Sequence, residues 1–329
     1  MCNLMIPAFL AILGLSLILV AGAEPVCAES PPMYSKSPNV AERLGYPADS
    51  KLLIIHCDDT GLSYASNKAV QELLTRGIAR SASVMMPCSW AYDFQRWFEK
   101  HPEYDVGIHI TLTSEWDTYR WRPISCASEV GGLIDQEGFM WRDVRGVASS
   151  ASPEEVKKEI RAQVKQALDW GVRPTHLDTH MGTVFATPGF FEAYIEVAGE
   201  FGILPMLINP TEEIIRDFES MGVPHAGALA ERMRDLPFPK LDNLITDFGG
   251  GDDYESRKQA IYQVLRDLKP GLTQIIIHPA LDTLEMHSIT DSWKARYLDY
   301  KIFMEDETQR LLDELNIKVI TWKELASLM

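Results

Sequence analysis

The stretch LLIIHCDDTGLS, Leu52 to Ser63, runs four apolar residues into His56, Cys57, Asp58 and Asp59, then a glycine. Two adjacent carboxylates at the end of a buried strand repel each other, and burial alone would raise the pKa of one of them. A divalent cation removes the conflict. One carboxylate binds it, and the other stays ionised beside it and takes a proton from a water that the cation acidifies. Further histidines and an aspartate could complete such a site. His109 lies in GIHITL, His176, Asp178 and His180 in THLDTH, and His278 in QIIIHP. Aspartate and imidazole together suit Zn²⁺, and also Mn²⁺, Co²⁺ or Ni²⁺, and three protein ligands with an open position make the catalytic pattern. In an extended chain His176, Asp178 and His180 share one face. At least one should reach the cation, and another can orient it from behind.

These residues are far apart in the chain, so a scaffold must gather them. From Lys51 onward strand-like and helical runs alternate seven or eight times. KLLIIHC, ARSASVMM, YDVGIHITL, VRPTHLDTH, ILPMLIN, DNLITDFG, TQIIIHP and IKVITW read as strands, with helical periodicity between most of them. The helix after Ser152 carries a full start signal, with Ser152 as cap, Pro153 in the first turn and Glu155 closing a capping box. Gly171 ends it. The stretch TDSWKARYLDYKIFMEDETQRLLDELN reads as one long helix, whole or broken. Such alternation implies a parallel sheet covered by helices. An open doubly wound sheet and a closed barrel both satisfy it, and strand count and length favour a (β/α) barrel, regular or distorted. In parallel folds active sites form at the C-terminal strand ends. Asp58, Asp59, His109, His180 and His278 all fall there. His56 should face away from Cys57, as a supporting or core residue. Ser114–Ser150 interrupts the rhythm and carries Trp116, Tyr119, Trp121 and Trp141. These aromatics could stack on sugar faces, but a local cluster that anchors the insertion is the expected reading.

The chain has 329 residues, enough for a sizeable core, and a net charge of −16, which argues against nucleic acid or polyanionic lipid as a partner. Residues 1–28 read as a signal peptide with small-residue cleavage sites at Ala21-Gly22-Ala23 or Val26-Cys27-Ala28. The rival is an uncleaved membrane anchor. Either implies export, to the periplasm or beyond, with membrane association only if the segment is retained. Residues 29–50 then form a linker and 51–329 a catalytic domain with insertion 114–150. Cys57, Cys88 and Cys126 make no disulfide framework and are expected as free thiols.

At these motifs the sequence resembles the YdjC-like carbohydrate deacetylases, the ChbG/HpnK family. HCDDTGLSYASNKAV is similar to the family's strand-one Asp-Asp motif, GIHITLT to its Gly-x-His motif, THLDTHMG to its His-x-Asp-x-His motif, and IHPA to its His-Pro motif. The likeness runs from Lys51 to the C-terminus. It implies a distorted barrel, one divalent metal ion (Zn²⁺ or Mg²⁺ first, then Mn²⁺, Co²⁺ or Ni²⁺) and hydrolysis of an N-acetyl group from an amino sugar or oligosaccharide. It puts the metal on Asp59, His109 and His180 and the catalytic base on Asp58. His278 matches the strand-end histidine, expected to protonate the leaving amine as an imidazolium near neutral pH. His176 and Asp178 would support the ligands from behind. One position departs: where many members carry a further histidine, this chain has Gly182, which bears on the substrate pocket rather than on the metal set. Two rivals stand beside this reading, a glycoside hydrolase using paired carboxylates and a non-catalytic carbohydrate-binding protein on the same scaffold.

Overall fold

The computed structural model describes residues 39–220 and 225–329. The segment read as a signal peptide or anchor, 1–28, lies outside the described residues. Of the expected linker, residues 39–50 are described and are partly ordered into a helix. Val40–Arg43 is capped by Asn39 and closed by Glu42 in a capping box, and Val40 and Leu44 pack on the main core. No helix among the described residues is long and apolar enough to cross a membrane.

Among the described residues eight strands form one sheet: β1 Lys51–Thr60, β2 Ser81–Val84, β3 Asp105–Ile110, β4 His176–Thr179, β5 Leu204–Pro205, β6 Asn243–Ile245, β7 Gly271–Ile277 and β8 Ile317–Val319. Their order is β5-β4-β3-β2-β1-β7-β6, all pairs are parallel, and β8 pairs with β1 alone. β1 is therefore central. One edge runs along β7 from Lys51 to Cys57, while the other serves β8 at Lys51–Leu53 and β2 from His56 on. The two ends of the sheet meet just past the short β5. Leu241 N–H donates to Leu207 O at 2.9 Å and Asn209 N–H to Leu241 O at 2.7 Å. This bridge curls the sheet into a distorted (β/α) barrel, as strand count had suggested.

β1 is the apolar run of the sequence, and all of it except Lys51 is buried. Strands covered on both faces read as continuous apolar runs for this reason. Each fully buried Leu or Ile here contributes about 1.5–3 kcal/mol of burial. The helices begin and end where their signals lie. Ser152, Pro153 and Glu155 start Pro153–Asp169 with a complete capping box, and Thr187-Pro188 starts Pro188–Phe201, which Gly202 ends in the left-handed region at φ 64°.

Several elements differ from the sequence reading. The long C-terminal helix is divided into Leu284–Ile289, Trp293–Phe303 and Asp306–Glu314. Glu305, at the second break, has extended backbone and is drawn to Lys258 at 2.8 Å. A helix at Ala226–Asp235 had no counterpart in the sequence reading. The strand expected through THLDTH stops at Thr179, and His180 opens a 3-10 turn with Met181 and Gly182 at φ 54° and 65°.

The barrel interior is polar. Alternate residues on four strands put His56 and Asp58, Ser81 and Ser83, Gly107 and His109, and His176 and Asp178 toward one another. Gly107 is there for space: a Cβ would meet the His176 ring at 2.4 Å. That ring stacks on Trp322 at 4.9 Å, and Trp322 Nε1 donates to Gln274 at 2.7 Å, which closes the floor.

Candidate active site

The paired aspartates do not alternate as strand residues should. Between Cys57 and Thr60 the register of β1 on β2 slips by one residue, a β-bulge. Asp59 takes φ 58° there, a left-handed conformation that costs energy for a non-glycine residue and clusters at functional sites. The bulge turns both carboxylates to the same histidine. Asp58 Oδ2 lies 3.7 Å and Asp59 Oδ1 3.5 Å from His109 Nε2. His180 Nδ1 lies 3.3 Å from Asp59 Oδ1 and 3.3 Å from His109 Nε2. Asp59, His109, His180 and Asp58 are therefore brought together, as the sequence reading required.

Beneath them runs a hydrogen-bonded layer. His109 Nδ1 donates to Asp178 Oδ1 at 2.8 Å. Asp178 Oδ2 is 2.8 Å from both His56 Nε2 and Ser83 Oγ. His56 Nε2 also lies 3.2 Å from Asp58 Oδ1, and its Nδ1 lies 2.9 Å from Ser81 Oγ. His56 is thus a wholly buried link between Asp58 and Asp178. His176 sits one layer deeper than Asp178, edge-on to His56 at 5.0 Å, so it supports the support rather than the histidines above.

Two residues at this site escaped the sequence reading. Arg296, from the helix Trp293–Phe303, holds Asp59 Oδ2 at 2.8 Å. Glu115, at the root of the insertion, lies 3.0 Å from His180 Nε2. Neither belongs to a strand-end motif, and only the tertiary fold brings them in. His278 directly follows β7, and its backbone N–H bonds to the buried Asp299, which Arg257 holds at 2.9–3.0 Å.

Electrostatics follow from this packing. Burial disfavours charge on Asp59, but Arg296 and then His109 and His180 hold its carboxyl well below the usual carboxylate range. Burial also opposes charge on His180, yet Glu115 and Asp59 raise its pKa to about 9. His109 is raised in the same way by Asp58 and Asp178, and His56 to about 9 by its bonds to Asp178 and Asp58. Burial pushes His278 below its ordinary value, against the pull of Asp59. Burial thus works against a resting imidazolium at His278, while Asp59 and Asp58 work toward one.

The donor set fits a divalent cation. Asp59, His109 and His180 each offer a ligand atom, and these atoms lie within 4.8 Å of one another. Asp59 Oδ1 is buried without a hydrogen-bond partner, a condition that buried polar atoms rarely tolerate without a reason. His56–His176–Asp178 and Asp58–His109–Asp178 are also compact groups. Their shared Asp178 already has both oxygens committed to His109, His56 and Ser83. In the Asp59–His109–His180 group each ring turns one nitrogen inward and gives the other to a carboxylate, Asp178 or Glu115, as metal-binding histidines do.

The insertion 114–150 is built on its own aromatics, as expected. Trp121 and Met140 pack with Leu62, Met85 and Cys88, with Trp116 and Tyr119 against them. Glu159 accepts the N–H groups of Ile124 and Ser125 at 3.0 and 2.9 Å, which ties the insertion to the helix Pro153–Asp169. Cys57 and Cys88 are buried free thiols and Cys126 an exposed one.

Comparison with known proteins agrees with this architecture. The family model described as YdjC-like protein matches residues 52–314. A carbohydrate deacetylase of Thermus thermophilus is 31% identical over 287 residues, covering 87% of this chain and 97% of that protein. A carbohydrate deacetylase of Thermoanaerobacter pseudethanolicus is 27% identical over 275 residues, covering 84% and 99%. A crystal structure from Enterococcus faecalis, of a protein provisionally assigned to cellobiose-phosphate cleavage, superposes with a TM-score of 0.68 at 20% identity. It covers 84% of this chain and 99% of that one, and supports the fold.

Proposed function

The chain belongs to the YdjC-like protein family, and from that premise we propose that it is a metal-dependent hydrolase that removes an N-acetyl group from an amino sugar or oligosaccharide. The observation that carries this reading is the convergence of Asp59, His109 and His180 on one small volume with Asp58 beside them. The deacetylases among its relatives give the substrate class. Asp59, His109 and His180 would hold the cation, Zn²⁺ or Mg²⁺ before Mn²⁺, Co²⁺ or Ni²⁺. When bound, the cation would supply Lewis acidity, polarising the acetyl carbonyl and acidifying a water.

The chain's own residues do the rest. Asp58 accepts the proton of the attacking water, with Oδ1 steadied by His56 and Oδ2 toward the reacting side. Asp178 keeps His109 Nε2 turned inward, and His56 and Ser83 keep Asp178 in place. The proton that Asp58 takes from water reaches the departing amine through His278, which takes it up and passes it on, so that acetate and a free amino sugar leave. The test is acetate release from a panel of N-acetylated sugars and oligosaccharides, before and after cation removal and reloading. No release from any of them by the reloaded protein would overturn the reading. The apolar segment 1–28 supports a further proposal, that the protein acts outside the cytoplasm.

His278→Ala is expected to keep the cation and lower kcat on an amide by about 10²–10⁴-fold, the range for a missing general acid. The loss should shrink on an activated acetyl ester, whose leaving group needs no proton. Equal loss on both substrates, or a melting temperature that falls with the activity, would make His278 structural.

Cation affinity should depend on pH in a stated direction. Without the cation His180 keeps its proton up to about pH 9, and His109 is raised likewise. The cation must displace those protons, so apparent affinity rises with pH from about 6 toward 9. The cation-free fold behaves oppositely. Its gain from a charged His180 is complete below the ordinary 6.5 and is lost as pH rises through about 9. Titrations with Zn²⁺ at several pH values, in a non-coordinating buffer, check the slope. An affinity that is flat or falls with pH would remove the two histidines from the ligand set.

A further inference from the structure

The root of the insertion reaches two of the three groups that would hold the cation. Glu115 Oε2 lies 3.0 Å from His180 Nε2, while His180 Nδ1 faces Asp59 and His109. The next residue, Trp116, lies against the Arg296 guanidinium at 5.6 Å, and Arg296 holds Asp59 Oδ2. Two consecutive residues therefore reach His180 directly and Asp59 through one arginine.

This root is itself held on several sides. Ser114 N–H donates to Trp141 O at 2.7 Å, and Ser114 Oγ accepts the N–H of Trp121 at 3.0 Å. Trp121 Nε1 donates to Thr113 O at 2.8 Å. Arg120 bonds Ser114 O at 3.2 Å and Met140 O at 2.5 Å and pairs with Asp135 at 2.8 Å. Tyr119 donates to Leu62 O at 2.6 Å, three residues past Asp59. The Glu115 side chain is only 20% exposed.

We propose that the insertion 114–150 braces the metal site, and that Glu115 is a positioning residue that fixes which nitrogen of His180 faces the cation. The proposal rests on the reading that Asp59, His109 and His180 hold a divalent cation. An imidazole can bind a cation through either nitrogen, and the partner of the other nitrogen decides which. The Glu115 carboxylate accepts the Nε2 proton and leaves the Nδ1 lone pair turned inward. At His109 the nitrogens are exchanged: Nδ1–H goes to Asp178 and Nε2 is left for the cation. The two histidines thus present opposite nitrogens, one set by a barrel strand and the other by the insertion. The barrel alone completes only one of them.

Chelator competition with Zn²⁺ alone tests this. Glu115→Ala is expected to weaken affinity by about 10- to 100-fold, as the loss of a group behind a metal ligand does, with little change in the cation-free melting temperature. Glu115→Gln, whose amide oxygen still accepts the ring N–H, should recover most of the affinity. Glu137→Ala removes an exposed ion-pair partner of Arg120 and Arg142 without touching His180, and should bind as the unchanged protein does. Wild-type affinity in Glu115→Ala would overturn the proposal. So would an equal loss in Glu137→Ala, or a collapse of the cation-free melting temperature that Glu115→Gln fails to rescue. If the unchanged protein takes up no divalent cation, the reading of the metal site fails instead.

Discussion

His109→Ala protein should come out of purification without its divalent cation and with nearly all acetate-releasing activity gone. His109 is the member of the cluster closest to every other: Asp58, Asp59, Asp178 and His180 all lie within 3.7 Å of its ring nitrogens. Removing the ring deletes one ligand of three. It also leaves Asp178 Oδ1 without its donor. An unsatisfied buried acceptor costs about 1–3 kcal/mol, so some destabilisation is expected beside the loss of metal. The two effects separate cleanly. Elemental analysis reads the cation, circular dichroism reads the fold, and the melting temperature reads the cost. A folded His109→Ala protein with unchanged metal content would remove His109 from the ligand set and the mechanism with it.

Much of this centre was legible because strand-end chemistry is local. His109 and Asp178 follow directly from a parallel sheet whose interior positions repeat every second residue. His180 was placed at the right end of the right strand, although it belongs to the turn that follows. The pairing of Asp58 and Asp59 was legible as composition but not as geometry. Simple alternation would send two adjacent strand residues to opposite faces. The bulge and the positive φ of Asp59 overturn it, since both carboxylates reach the same nitrogen of His109. They approach it from one strand and so do not bracket a glycosidic bond from two sides, which weighs against the glycosidase rival.

Arg296 and Glu115 could not be read in the same way. Arg296 sits in a helix after the last large strand, in a stretch whose periodicity marks only a helix. Its partner Asp59 lies near the start of the fold, and no local pattern joins them. Glu115 begins an insertion, where the βα rhythm gives no positional expectation. His56 was partly legible. Its parity pointed away from Cys57, but its role as a link between Asp58 and Asp178 depends on the register of three strand pairings, from β1 across to β4. The break at Glu305 depends on Lys258, which lies on another helix. In each case the missing information was a long-range partner rather than a propensity.

Asp58→Asn should keep the cation and still lose rate by about 10²–10⁴-fold, the range for a missing general base. The two aspartates are distinguished by what already occupies their oxygens. Asp59 gives Oδ2 to Arg296 at 2.8 Å and turns Oδ1 to the two histidines, where it has no hydrogen-bond partner. That is the posture of a ligand. Asp58 rests Oδ1 near His56 at 3.2 Å and leaves Oδ2 no nearer than 3.7 Å to His109. That oxygen can take up a proton without breaking a bond the fold needs. Burial opposes charge on His56, yet its bonds to Asp178 and Asp58 raise its pKa to about 9. Asparagine matches the shape, and its oxygen can still accept from His56, so the barrel floor should survive. What it lacks is an anionic oxygen to receive the proton of water. Elemental analysis should give unchanged metal content, and acetate release on a good substrate should give the loss in kcat. If Asp58→Asn empties the site while Asp59→Asn retains the cation, the two aspartates exchange roles, and Arg296 would then be steadying the base rather than a ligand.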